Sequence, residues 1–158
     1  MPAKRKKQPP KPPRYTLSFV GSALEDAKQV PVKLRAQLTR ILQQLANEGC
    51  RAAGYALSGP PPWPHLCSVH FDGWRVVVAF PTEEEVTVVK IAEHDPDSDP
   101  YCEIAEELGL PVSTEERTKP PCCGPDGEPP IDPQVVDDFS DAFKALTRRE
   151  RRERSRRP

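Results

Sequence analysis

His65-Leu-Cys-Ser-Val-His-Phe-Asp-Gly-Trp-Arg-Val-Val-Val-Ala-Phe80 reads as two antiparallel strands joined by Asp72-Gly73. Asp-Gly favours the left-handed backbone that a two-residue type I′ turn requires, so the stretch closes as a hairpin. That turn sets Phe71 opposite Trp74 and His70 opposite Arg75, with Cβ atoms about 5 Å apart in each pair. Strand alternation then separates two faces. Cys67, Val69, Phe71, Trp74, Val76, Val78 and Phe80 are expected under helices, whereas Ser68, His70, Arg75, Val77 and Ala79 point to an open face.

Working outward, Pro81–Glu85 is a polar turn and Val86–Ala92 a further strand. Simple alternation puts Val89 and Ile91 on the covered face and Lys90 and His94 on the open one. A pairing of Arg75 with Lys90 fits the loop length. His70, Arg75, Lys90 and His94 therefore share a surface, which Tyr101 reaches from the following segment. Polar residues on one sheet face are also what any half-covered antiparallel sheet displays, so the cluster alone does not define a function.

Upstream, Tyr15–Val20 alternates and reads as a first strand. Ser22 with Glu25 three residues later has the pattern of a capping box, opening a short helix over Ala23–Val30 that Pro31 interrupts. Leu34, Leu38, Ile41 and Leu45 form the apolar stripe of a longer helix, Pro31–Glu48, which Gly49 stops. Arg51–Pro64 is a loop ending in the stiff connector Gly59-Pro-Pro-Pro-Trp-Pro64. Downstream, the acidic loop Glu93–Pro100 leads into a helix with Tyr101, Ile104, Ala105 and Leu108 on one face, ended by Gly109. The order β-α-α-β-β-β-α predicts an α+β fold in which a helical hairpin packs an antiparallel sheet.

Composition divides the rest of the chain. Met1–Arg14 holds six Lys or Arg, five prolines and no acid, the profile of a disordered basic tail. The domain is expected over 15–110, a proline-rich linker over 111–131, an amphipathic helix over 132–147 and a basic tail over 148–158. Asp132 and Pro133 can open that helix, and Val135, Phe139, Phe143 and Leu146 give it an apolar stripe suited to a partner or to the open sheet face. From Tyr15 to Glu115 there are seven Lys/Arg against fifteen Asp/Glu, a net of 7 − 15 = −8, and the positive charge lies at the two ends. No apolar run approaches a membrane span and no signal-peptide core is present, so the chain is expected in the cytoplasm. The five cysteines lack zinc-site spacing and read as reduced thiols, and no metal or other cofactor is expected.

The segment 65–80 resembles the core of the RelE/ParE toxins of type II toxin–antitoxin systems, in which an aromatic-Arg pair follows a tight turn and opens a β-branched run. The initial Tyr-x-Leu-x-Phe strand with its helical hairpin, and the Val-Val-Lys-Ile strand followed by a polar stretch and Tyr101, extend the resemblance over about 14–110. It implies a toxin component controlled by a partner antitoxin, whose catalytic members cleave messenger RNA on the ribosome without a metal. Carried over by position, it implies that Arg75 holds the scissile phosphate, His94 serves as acid or base, and Tyr101 stacks on a base or takes part in proton transfer. His70 and Lys90 would be substrate-binding residues. The alternative is a catalytically inactive RelE-fold binding protein that acts through a protein partner. The oligomeric state stays open.

Overall fold

The computed structural model describes residues 13–57, 64–97, 99–111 and 119–156. Residues 1–12 of the expected 1–14 tail, most of the proline connector and residues 112–118 of the linker lie outside them. Five strands form one sheet: β1 (Thr16–Phe19), β2 (Tyr55–Ala56), β3 (Leu66–Phe71), β4 (Trp74–Thr82) and β5 (Glu85–Glu93). Among the described residues four α-helices accompany it, α1 (Ala23–Gln29), α2 (Val32–Glu48), α3 (Pro100–Glu107) and α4 (Pro133–Arg156), with a 3-10 turn at Gly49–Ala52 after α2.

The strand order is β1-β5-β4-β3-β2. The hairpin forms as its turn dictates: Asp72 and Gly73 take φ of 41° and 77°, and Phe71↔Trp74 and His70↔Arg75 are direct pairs. The sheet is mixed rather than wholly antiparallel, because β1 lies parallel to β5 with Phe19 opposite Val88. The two helices after β1 carry the chain back across the sheet, so β1 and β5 run the same way. The two-residue β2, placed by Tyr55↔Ser68, extends the other edge within the expected loop.

The expected β4–β5 register fails, and the ladder shifts at two places, Val77/Val78 and Ala79/Thr82. Val77 pairs with Lys90 but Val78 pairs with Val88, so Val89 is an extra residue on β5. A bulge breaks the two-residue alternation. Val86, Val88 and Ile91 therefore pack under α1 and α2, while Val89 joins the opposite face. Arg75 pairs with Ala92 rather than with Lys90.

The α2 stripe of Leu34, Leu38, Ile41 and Leu45 is buried on the first face, as its spacing predicts. The second face is not open. Val77, Ala79 and Val89 are covered by Ile104 and Ala105 of α3 and by Val135 and Phe139 of α4. Burying Val135 and Phe139 contributes roughly 1.5–3 kcal/mol each, and the chain enters α4 through an isolated bridge between Phe80 and Ile131. The helix continues through the arginine run to Arg156, so most of the expected basic tail is its last turns. Its middle leaves Phe143 40% and Leu146 43% exposed. At the start of α1, Ser22 departs from the capping-box expectation: its hydroxyl donates to Asp26 at 3.1 Å, not to the helix backbone.

The cysteines overturn the reduced-thiol expectation. Cys50 is bonded to Cys123 and Cys67 to Cys122, while the Cys102 thiol donates to Asp99 Oδ2 at 3.3 Å. The adjacent pair Cys122-Cys123 thus fastens the segment before α4 both to the turn after α2 and to β3. Pro120 adds a backbone link, accepting from the Ala56 amide at 2.8 Å. None of the described helices is long and apolar enough to cross a membrane.

Candidate functional site

The β2–β3–β4 edge builds a polar chain on the second face. Because Tyr55 pairs with Ser68, and His70 lies two residues further along β3, their side chains leave the sheet on the same side. Tyr101, from the first turn of α3, reaches the same place. Its hydroxyl lies 3.0 Å from Ser68 Oγ and 2.6 Å from the Tyr55 hydroxyl, which is 2.7 Å from His70 Nε2. One consistent direction has Ser68 donating to Tyr101, Tyr101 to Tyr55, and Tyr55 to the unprotonated Nε2 of His70.

Electrostatics favour that neutral imidazole. Partial burial of His70 comes first, and the positive charges of Arg75, Lys119 and His94 add to it; together they push its pKa down to about 4. Much of the ring is open to solvent, but the nitrogen that would be protonated is the one facing Tyr55. Tyr101 is buried, and loss of contact with water first, then its hydrogen bond with Tyr55, hold its hydroxyl above the usual phenol range. It is a neutral hydrogen-bonding group at physiological pH.

Arg75 stands directly across the hairpin from His70. Its Nη1 donates to its neighbour's carbonyl, Trp74 O, at 3.0 Å, while Nε is sequestered from solvent and meets no acceptor among the described residues. A buried charged donor left unmatched is costly and is a recurring mark of a binding or catalytic group. His94 follows the end of β5, anchored by its amide to Gly73 O at 2.7 Å, with its ring centroid 5.8 Å from that of Tyr101. Its Nε2 is 4.0 Å from Asp99 Oδ1. Asp99 caps α3, accepting from the Tyr101 amide at 2.9 Å. Burial pushes its carboxyl up, but the Cys102 thiol, the Tyr101 and Cys102 amides and His94 outweigh this and hold it below the usual range. His94 therefore has an ionised carboxylate beside it.

Lys90 is placed differently from the other expected residues. It is 7% exposed and meets Glu107 at 2.8 Å and Glu103 at 3.4 Å under α3. Burial pulls its pKa down, but Glu107, Asp26 and Glu103 together reverse this and leave it above the ordinary value. The nearby Asp26 shows the opposite balance, burial outweighing Lys90 and raising its pKa. Lys90 thus ties α1, β5 and α3 together. Lys90→Met is expected to destabilise the fold by about 2 kcal/mol, because it strands partly buried carboxylates; urea unfolding at pH 7 checks this. A raised lysine pKa contributes stability that is full below the ordinary value of 10.5 and is lost as pH rises beyond it. The difference between the two proteins should therefore persist from pH 7 to 10.

The structure brings His70, Arg75, His94 and Tyr101 to one neighbourhood and diverts Lys90 to a structural ion cluster. It adds Tyr55, Ser68, Asp99 and Lys119, whose ammonium lies 5.3 Å from the centroid of the Tyr55 ring. Asp99 had a visible signal, an acid just before Pro100 at a helix start. Ser68 lay on the predicted polar face. Tyr55 sat in an apparent loop, and Lys119 is brought in by disulfides between distant residues. No group of three or more potential metal-ligating side chains is present among the described residues.

No family model matches the chain, and no curated protein sequence matches it. Among solved structures, the toxin–antitoxin complex RelBE2 from Mycobacterium tuberculosis is similar over 54% of this chain and 95% of that one, at 20% identity and a TM-score of 0.44.

Proposed function

We propose that the chain is a RelE/ParE-like toxin component that cleaves messenger RNA in the cytoplasm without a metal, under the control of an antitoxin protein. The observation that carries this reading is the Arg75 guanidinium, short of an acceptor, beside a neutral His70 and near a carboxylate-flanked His94. Metal-free cleavage of RNA needs those three capacities. A base takes the 2′-hydroxyl proton while O2′ bonds to phosphorus, a cation meets the growing charge on the phosphoryl oxygens, and an acid protonates the departing O5′. The products are a 2′,3′-cyclic phosphate and a 5′-hydroxyl.

In this scheme Arg75 holds the phosphate, the Tyr55 hydroxyl takes the 2′-hydroxyl proton as its own proton passes to His70 Nε2, and His94, beside Asp99, acts as the acid. Tyr101 is a positioning residue, fixing Tyr55 and through it the tautomer of His70. Expression of the full chain is expected to arrest growth and fragment messenger RNA, and the Arg75→Ala/His94→Ala protein to do neither. Equal behaviour of the two would sink the nuclease reading. The second reading, a catalytically inactive binding protein of the same fold, is favoured by the diversion of Lys90 into the ion cluster and by the buried Tyr101 hydroxyl. In that case the double variant would still capture the protein partner.

A further inference from the structure

We infer that Lys119 is the second anion-holding group of this site, paired with Arg75 around a phosphate-type oxyanion, and that the disulfide-fastened segment sets it in place. This deepens the proposed function, resting on it only for the identity of the phosphate as part of an RNA chain.

Over 15–115 carboxylates outnumber cations fifteen to seven, and Lys90 lies among three of them. Against that background, neither Arg75 nor Lys119 has a carboxylate within ion-pair distance among the described residues. Both nevertheless act on the same imidazole, that of His70. Two uncompensated cations directed at one neutral ring in an acidic domain form a local positive field, and an oxyanion is the ligand that relieves it. Arg75 adds a donor in need of an acceptor. Lys119 adds an ammonium, an ordinary point-charge contact for phosphate.

Placement is the other half. Lys119 precedes Pro120 and Pro121, whose rings restrict the backbone, and Cys122. The Pro120 carbonyl is tied to Ala56 beside Tyr55, and Cys122 is tied to Cys67 beside Ser68. The ammonium is thereby held over Tyr55, the residue that bonds His70. Reduction of the two disulfides by a dithiol, which is oxidised to its own disulfide as the cysteines become thiols, leaves the single Pro120 hydrogen bond among these links.

The test uses the full oxidised chain with inorganic phosphate as probe, followed through the His70 ring signals by NMR. Tyr55, which bonds Nε2, and the charged Arg75, Lys119 and His94 act on this ring. Phosphate binding is expected to raise the His70 pKa. Lys119→Gln should weaken phosphate binding about tenfold, as loss of one charge-assisted contact does, and raise the His70 pKa in the absence of phosphate. Lys119→Arg should restore both. Dithiothreitol should reproduce the Lys119→Gln effects on the wild-type chain and add nothing to the variant. Unchanged phosphate affinity and unchanged His70 titration in Lys119→Gln, or no phosphate binding to the wild-type chain, would overturn the inference. Phosphate binding without RNA cleavage would instead remove the nuclease reading and leave this site standing.

Discussion

Arg75→Ala is expected to lower RNA cleavage by the full chain at least about 100-fold while leaving its melting temperature unchanged or higher. Removing one preorganised donor to a transition-state oxyanion typically costs 10²–10³ in rate. Arg75 is placed for that role by the hairpin itself, since Asp72-Gly73 fixes the His70↔Arg75 pair. The stability half of the prediction follows from its hydrogen bonds. The guanidinium donates to the carbonyl of its own neighbour, Trp74, and keeps Nε without an acceptor, so the fold gains little from it. A residue that serves the fold would show the opposite pattern, a lower melting temperature with cleavage lost only through unfolding. Arg75→Lys should recover part of the rate, because lysine restores charge but not the planar fork of donors. Single-turnover cleavage and thermal melts on the same preparations give both readings.

Breaking the two disulfides is expected to have the largest effect on stability. The bridged cysteines are 73 and 55 residues apart, and constraining loops of such length in the unfolded chain is worth about 4 kcal/mol for the first bridge removed. For a chain of this size that corresponds to a melting temperature lower by about 10–20 °C. The loss should be concentrated where the bridges act. Cys122→Ser/Cys123→Ser releases the segment leading to Ile131 and α4, uncovering Val77, Ala79 and Val89. Melts of the wild-type chain in dithiothreitol and of the double variant should agree with each other and lie below that of the oxidised wild-type chain. A reduced chain that melts with the oxidised one would mean that apolar packing alone holds α4. The cytoplasm keeps most thiols reduced, so these bridges also make the proposed activity sensitive to the redox state of its surroundings.

Sequence reading reached the parts of this fold that local chemistry decides. The turn Asp72-Gly73, the His70–Arg75 pair, the α2 stripe and the helix beginning at Pro100 are each specified within a few residues. What escaped depends on distant segments. Two register shifts in the β4–β5 ladder, one at Val89 and one between Ala79 and Thr82, undid the alternation on β5 and put Val89 on the other face, and Arg75 lies opposite Ala92. Lys90 looked like a phosphate contact because nothing local announces Glu103 and Glu107 above it. Four paired cysteines permit three connectivities, and spacing does not choose among them. With the bridges unread, Lys119 and Pro120 seemed part of a linker, and Tyr55 lost the context that makes it the centre of the hydrogen-bonded chain.

The most direct test is end-group analysis of a defined RNA oligonucleotide incubated with the oxidised full chain in excess EDTA. Cleavage is expected to leave 2′,3′-cyclic phosphate and 5′-hydroxyl ends and to fall at least about 100-fold in Arg75→Ala. Products with 3′-hydroxyl and 5′-phosphate ends, or cleavage that is indifferent to Arg75, would contradict the proposed mechanism.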